Sequence, residues 1–67
     1  MFEVYLATDK NGEQNVFMCS PIRHDDGYWY DPHMPDFRSE LPEDLTDEEL
    51  ALTWEDEPIV LHYGFAL

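Results

Sequence analysis

One cysteine and three histidines are the side chains of this 67-residue sequence best suited to bond-making chemistry. Cys19 with His24, His33 or His62 would supply a thiol nucleophile and its base. Cys19 follows the apolar run Val16-Phe17-Met18, which predicts a buried and inert thiol. His24, Asp25, Asp26, Asp31 and His33 place two imidazoles and three carboxylates within ten residues, a donor set suited to zinc. Their spacing matches no structural zinc pattern, and no second cysteine exists. The glycine and closing glutamate of a calcium loop are missing as well. A polar turn is therefore predicted there, and no metal ligand is assigned. Gly12, Gly27 and Gly64 are isolated, so no glycine-rich loop cradles a phosphate. Paired carboxylates for hydrolysis are plentiful, but so short a chain offers little room for a water-excluding pocket. The sequence predicts a protein without catalytic residues or cofactor, and not an enzyme.

Charge is the stronger signal. Residues 36–57 hold ten of the sixteen carboxylates: Asp36, Glu40, Glu43, Asp44, Asp47, Glu48, Glu49, Glu55, Asp56 and Glu57. Arg38 is the cation among them, and Lys10 and Arg23 complete the positive charges of a chain with net charge −13. Direct nucleic-acid binding is disfavoured, because phosphate contact needs Lys and Arg. An anionic membrane surface is disfavoured for the same reason. Tyr28-Trp29-Tyr30 has the aromatic content of a base-stacking strand, but Asp25, Asp26 and Asp31 flank it, so a packed strand is expected. Basic proteins remain as partners, including proteins whose usual ligand is DNA or RNA. Duplex DNA carries one charge per ~1.7 Å of axis. A compact domain of this length has a radius of gyration near ~11 Å and spans roughly 28 Å. Duplex of that length carries about sixteen phosphates, the number of carboxylates in the chain.

The elements that must hold this charge follow from size and pattern. The length allows one domain, residues 1–67, with a thin stability margin. Hydrophobic residues at 43% and aromatic residues at 15% separate the chain from disordered acidic segments. Phe2-Glu3-Val4-Tyr5-Leu6 reads as a strand partly covered on both faces. Asp9-Lys10-Asn11-Gly12 is a hairpin turn, and residues 15–22 form the returning strand, weakened at its end by Pro21. His24-Asp25-Asp26-Gly27 is a second turn, and residues 28–30 form a third strand, which would complete a three-stranded meander. Pro32 and Pro35 bracket an extended loop. Leu41-Pro42 permits a first helical turn. Thr46-Asp47-Glu48-Glu49 fits a capping box that opens a helix over 46–54, with its acids at the favourable end of the dipole. Leu50 and Trp54 would share the core-facing side of that helix. Leu41, Leu45, Leu50, Leu52 and Trp54 would together pin the acidic segment to the core. A last strand covers 59–63, and Phe65 and Leu67 continue its apolar character. The expected class is α+β: a small antiparallel sheet of three to four strands with one short helix, in the order β-β-β-α-β.

The single cysteine excludes an internal disulfide, and neither a signal peptide nor a run of about 18 apolar residues is visible. A soluble, cytoplasmic protein is expected, acting in its own cell or in a host's. In size and composition the chain resembles small acidic proteins of bacteriophages and mobile elements. That class includes DNA mimics that block restriction enzymes, nucleoid proteins, repair nucleases or CRISPR effector complexes. The likeness lies in composition and size, and no functional residue is carried over from it. The leading expectation is an inhibitor that mimics nucleic acid and occupies a basic site on its partner. Its contacts would be Glu43, Asp44, Asp47, Glu48, Glu55, Asp56 and Glu57. The alternative is an adaptor that binds through aromatic residues 28–30 or an edge strand at 59–63, with charge serving solubility. The sequence leaves the oligomeric state open, a homodimer included.

Overall fold

The computed structural model describes residues 2–33, 39 and 41–63. Asp36, Arg38, Glu40, Phe65 and Leu67 lie outside them, as do Met34 and Pro35 of the Pro32–Pro35 loop. Among the described residues the chain runs β1 (Phe2–Thr8), β2 (Gln14–Phe17), β3 (Ile22–Arg23), β4 (Trp29–Tyr30), α1 (Asp47–Leu50) and β5 (Ile59–Tyr63). Two antiparallel sheets result, one in the order β2-β1-β5 and one of β3 with β4. The α+β class holds, with one strand and one sheet more than the sequence suggested.

β1 is central, and each of its faces is covered, as its imperfect alternation implies. Val4 pairs with Leu61, and Leu6 pairs with both Ile59 and Val16, so these residues share one face. Leu41, Leu45 and Leu52 pack on that face from the acidic segment. The opposite face carries Tyr5, Ala7 and Phe17, covered by Trp29 and Trp54. The sheet thus has a leucine layer on one side and a tryptophan layer on the other.

The β1–β2 turn is wider than the Asn-Gly pair suggests. Asp9 N–H donates to the Glu13 carbonyl at 2.8 Å, and Gly12 N–H to the Asp9 carbonyl at 2.9 Å. Only Gly12 takes a left-handed conformation in this turn, at φ 90°. Asn11 instead uses its side-chain oxygen to accept the Glu13 N–H at 2.9 Å. At the second turn Gly27 has φ 95°, and its carbonyl accepts the Lys10 N–H at 2.9 Å. The two turns are thereby joined. The positive φ favours glycine there, and a Cβ at Gly27 would be a tight fit, 3.2 Å from the Lys10 Cβ.

The expected strand over 15–22 breaks after Phe17. Residues 18–20 are exposed, and Ile22 and Arg23 pair instead with Tyr30 and Trp29. The chain leaves the first sheet here so that β3 and β4 can carry Trp29 across its face. The expected three-stranded meander is therefore replaced by two sheets. Cys19 is exposed in this crossover, contrary to the buried thiol predicted from its neighbours.

The helix spans Asp47–Leu50 rather than 46–54, and residues 41–42 are not helical. Its start is as the sequence predicts. The Thr46 hydroxyl accepts the Glu49 N–H at 3.2 Å, and the Glu49 carboxylate accepts the Thr46 N–H at 2.8 Å. Its end is set by local and distant partners together. A longer helix would join the Thr53 N–H to the Glu49 carbonyl. That carbonyl accepts instead from Leu52 N–H at 3.3 Å and from Gln14 Nε2 at 3.1 Å. Thr53 N–H donates to Asp56 Oδ2 at 2.9 Å. The Leu52 carbonyl is held by Thr8 Oγ1 at 2.8 Å. With the helix cut short, Leu50 is not in the core but 50% exposed. Leu52 packs in the leucine layer and Trp54 in the tryptophan layer. The acidic segment therefore wraps around the end of the sheet at Thr8.

Candidate functional site

The seven predicted contact residues all lie on this wrapped segment, and all are exposed. Glu43 and Asp44 form a turn ahead of α1, and Asp47 and Glu48 are in its first turn. Leu41 and Leu45 hold this group over the leucine layer. Glu55, Asp56 and Glu57 follow Trp54, which packs in the tryptophan layer. The two groups are thus anchored on opposite faces of the sheet, as a band around its end rather than one flat acidic plane.

Asp56 differs from the other six. Its Oδ2 accepts from Thr53 N–H at 2.9 Å and from Thr53 Oγ1 at 3.0 Å. These bonds, the backbone one first, hold its carboxyl below the ordinary value of 3.8. Asp56 shapes the turn that displays its neighbours.

Arg23 organises the same corner. Its guanidinium carbon lies 4.7 Å from the Trp29 ring centroid and 5.2 Å from that of Trp54. Its Nη2 donates to the Trp54 carbonyl at 2.9 Å and to the Asp56 carbonyl at 3.4 Å. The two tryptophans meet edge to face, 5.8 Å apart at 66°. Nothing in the order of residues pairs Arg23 with the loop 31 positions away. The surplus of acid over base was the available signal, since a scarce cation amid carboxylates is apt to be used internally.

Other sequence candidates separate into local contacts. The His24 ring accepts the Asp26 N–H at 3.1 Å and lies 3.4 Å from its carboxylate. His24 also meets Tyr30 edge-on, with ring centroids 5.5 Å apart. Asp31 is fully buried and accepts the His33 N–H at 2.8 Å. Among the described residues no three acidic, histidine or cysteine side chains gather around a point where a metal would sit. Trp29 is 3% exposed and Tyr28 46%, so the aromatic triplet is not a continuous surface patch. Trp29 donates from Nε1 to the Thr8 carbonyl and from its backbone to Asp9 Oδ1, each at 2.9 Å.

The chain also forms open clefts on its surface. One of about 550 Å³ lies between the β1–β2 turn and the wrapped segment, with Lys10, Leu52, Trp54 and Glu55 on its walls. Another of about 350 Å³ lies between residues 44–49 and β5.

Comparison with protein-family models, curated proteins and solved structures finds no match. Among the described residues no helix is long and apolar enough to cross a membrane.

The charge argument changes with these dimensions. The radius of gyration is 11.7 Å, with extents of 41 × 28 × 16 Å. Sixteen charges suit a duplex along the 28 Å axis, whereas a duplex as long as the 41 Å axis carries about 24. Asp9 and Asp31 are buried as well, so fewer than sixteen carboxylates face outward. The numerical match with duplex does not extend to the long axis.

Proposed function

We propose that this protein is a non-enzymatic inhibitor whose acidic band occupies a basic nucleic-acid-binding site on another protein. One observation supports this above the rest. Glu43, Asp44, Asp47, Glu48, Glu55 and Glu57 are exposed, and among the described residues no Lys or Arg pairs with them. Arg23, which reaches this segment, gives its Nη2 bonds to backbone carbonyls. Six carboxylates are thus left for the Lys and Arg of a partner, where bidentate pairing with Arg is strongest.

The band curves around the end of the sheet, so it suits a concave basic cleft better than a flat surface. A DNA- or RNA-binding channel has that shape and charge. The proposed setting is the cytoplasm, with a phage or mobile-element product acting on a host DNA-binding or defence complex such as a CRISPR effector. Neither nucleic acid nor membrane is a direct ligand in this proposal.

The test is capture of a partner on immobilised protein at low and high salt, followed by competition with duplex DNA. Exposed ion pairs are screened over about 8 Å at physiological salt. Binding should therefore weaken steeply as salt rises, and duplex DNA should displace the captured protein. A variant with Glu43, Asp44, Asp47, Glu48, Glu55 and Glu57 changed to their amides should capture less. An affinity that stays flat from low to high salt rejects the proposal.

A further inference from the structure

The two outer edges of the three-stranded sheet differ. On β2, Val16 exchanges backbone hydrogen bonds with Ser39, at 3.4 Å and 3.3 Å. On β5, among the described residues, backbone pairing is with β1 alone. An open edge is a template for another strand, and proteins usually guard it with Lys, Pro or an inward charge. Ile59-Val60-Leu61-His62-Tyr63 has no Lys, Arg, Asp, Glu or Pro, in a chain where such charges abound. Val60 is 40% exposed, and His62 is exposed beside it.

A groove of about 350 Å³ runs along this strand. It is lined by Asp44, Leu45 and Glu49 of the acidic segment and by Val60, Leu61 and His62 of β5. An incoming strand would find main-chain partners on β5, the exposed Val60 on one face of the sheet and two carboxylates on the other.

We propose that β5 is a docking edge for an extended basic segment of the partner, which adds as a strand and sets Lys or Arg against Asp44 and Glu49. The inference rests on the reading of the protein as a binder of basic proteins, and it names how the partner is held. Charge selects the occupant. A second copy would bring another −13 to the interface, and its own β5 has no cation to offer Asp44 or Glu49. A segment alternating basic and apolar residues turns its cations toward Asp44 and Glu49 on the leucine face and its apolar side chains to the opposite face, beside Val60.

The probe is a capped eight-residue peptide alternating Lys and Val, followed through the backbone amide resonances of the protein. The control has the same sequence with alternate backbone amides N-methylated, which keeps every charge and removes strand pairing. The unmodified peptide should bind at low salt with its largest shifts over 59–63. N-methylation should weaken it by about tenfold or more, the equivalent of one or two main-chain hydrogen bonds. The double variant Asp44→Asn, Glu49→Gln should also bind less tightly, and it keeps the helix cap because glutamine serves at that position. Equal, salt-sensitive binding of both peptides overturns the docking edge and leaves the acidic-surface reading standing. No binding of either peptide at low salt overturns both. A dimer in sedimentation whose contacts map to 59–63 assigns the edge to a second copy and also overturns the inference.

Discussion

Arg23 holds Trp54 by both its ring and its backbone. The guanidinium carbon stands 5.2 Å from the ring centroid, while Nη2 donates to the Trp54 carbonyl at 2.9 Å. One of three cations in a chain of sixteen carboxylates is therefore spent on fastening the acidic segment to the β3–β4 hairpin. Arg23→Ala should lower stability by about 1–2 kcal/mol, through lost cation–π contact and a charged hydrogen bond. Arg23→Lys should recover less than half, because an ammonium lacks the planar fork. Urea unfolding checks both, and the tryptophan emission of the folded Arg23→Ala protein should move to longer wavelength as Trp54 loosens.

The short helix depends on bonds at both ends. Thr46→Ala removes the cap and should cost about 1 kcal/mol, whereas Glu49→Gln should cost much less. Gln14→Ala removes donors to Thr8 Oγ1 and the Glu49 carbonyl, each 3.1 Å away. It should cost about 1 kcal/mol although it lies in β2. If Gln14→Ala were silent in denaturant unfolding, the sheet would not be what ends the helix.

Leu50 and Leu52 separate the observed path from a continuous helix over 46–54. Leu52 is partly buried against the leucine layer, and Leu50 is 50% exposed. Leu52→Ala should cost about 1–2 kcal/mol, below the full-core range because its burial is partial. Leu50→Ala should stay within about 0.5 kcal/mol. The reverse order in chemical denaturation would restore the longer helix.

The turn at 53–56 carries a pH dependence of known sign. Asp56 has its folded pKa lowered below 3.8 by the Thr53 N–H, then by the Thr53 hydroxyl. A lowered carboxyl stabilises the fold above the unfolded value and loses that effect as pH falls through the folded value. The Asp56 carboxyl carbon should titrate below 3.8 in the native protein. In Thr53→Val the hydroxyl bond is gone and the backbone bond stays, so the midpoint should rise only partway. An unchanged midpoint would mean that the hydroxyl does not reach the carboxylate in solution.

Features closed by bonds within a few residues were legible in the order of amino acids. The Thr46–Glu49 capping box, the turns at Gly12 and Gly27, and the last strand at Ile59–Tyr63 belong to this group. Each depends on a neighbour three or four positions away, or on a run whose residue types favour one backbone. Composition likewise fixed the sign of the surface, because three cations cannot neutralise sixteen carboxylates wherever the chain goes. Tertiary structure decided where local elements stop and which side they face. Thr8 and Gln14 take the carbonyls of Leu52 and Glu49 while Asp56 takes the Thr53 N–H, and the helix stops with Leu50 outward. The crossover after Phe17 splits one expected sheet into two and exposes Cys19. Arg23 then draws Trp54 to the far face, so the acidic groups become a band around the sheet's end. The physical reason is competition. A backbone group accepts the best donor in space, and a donor tens of residues away leaves no mark on the local pattern.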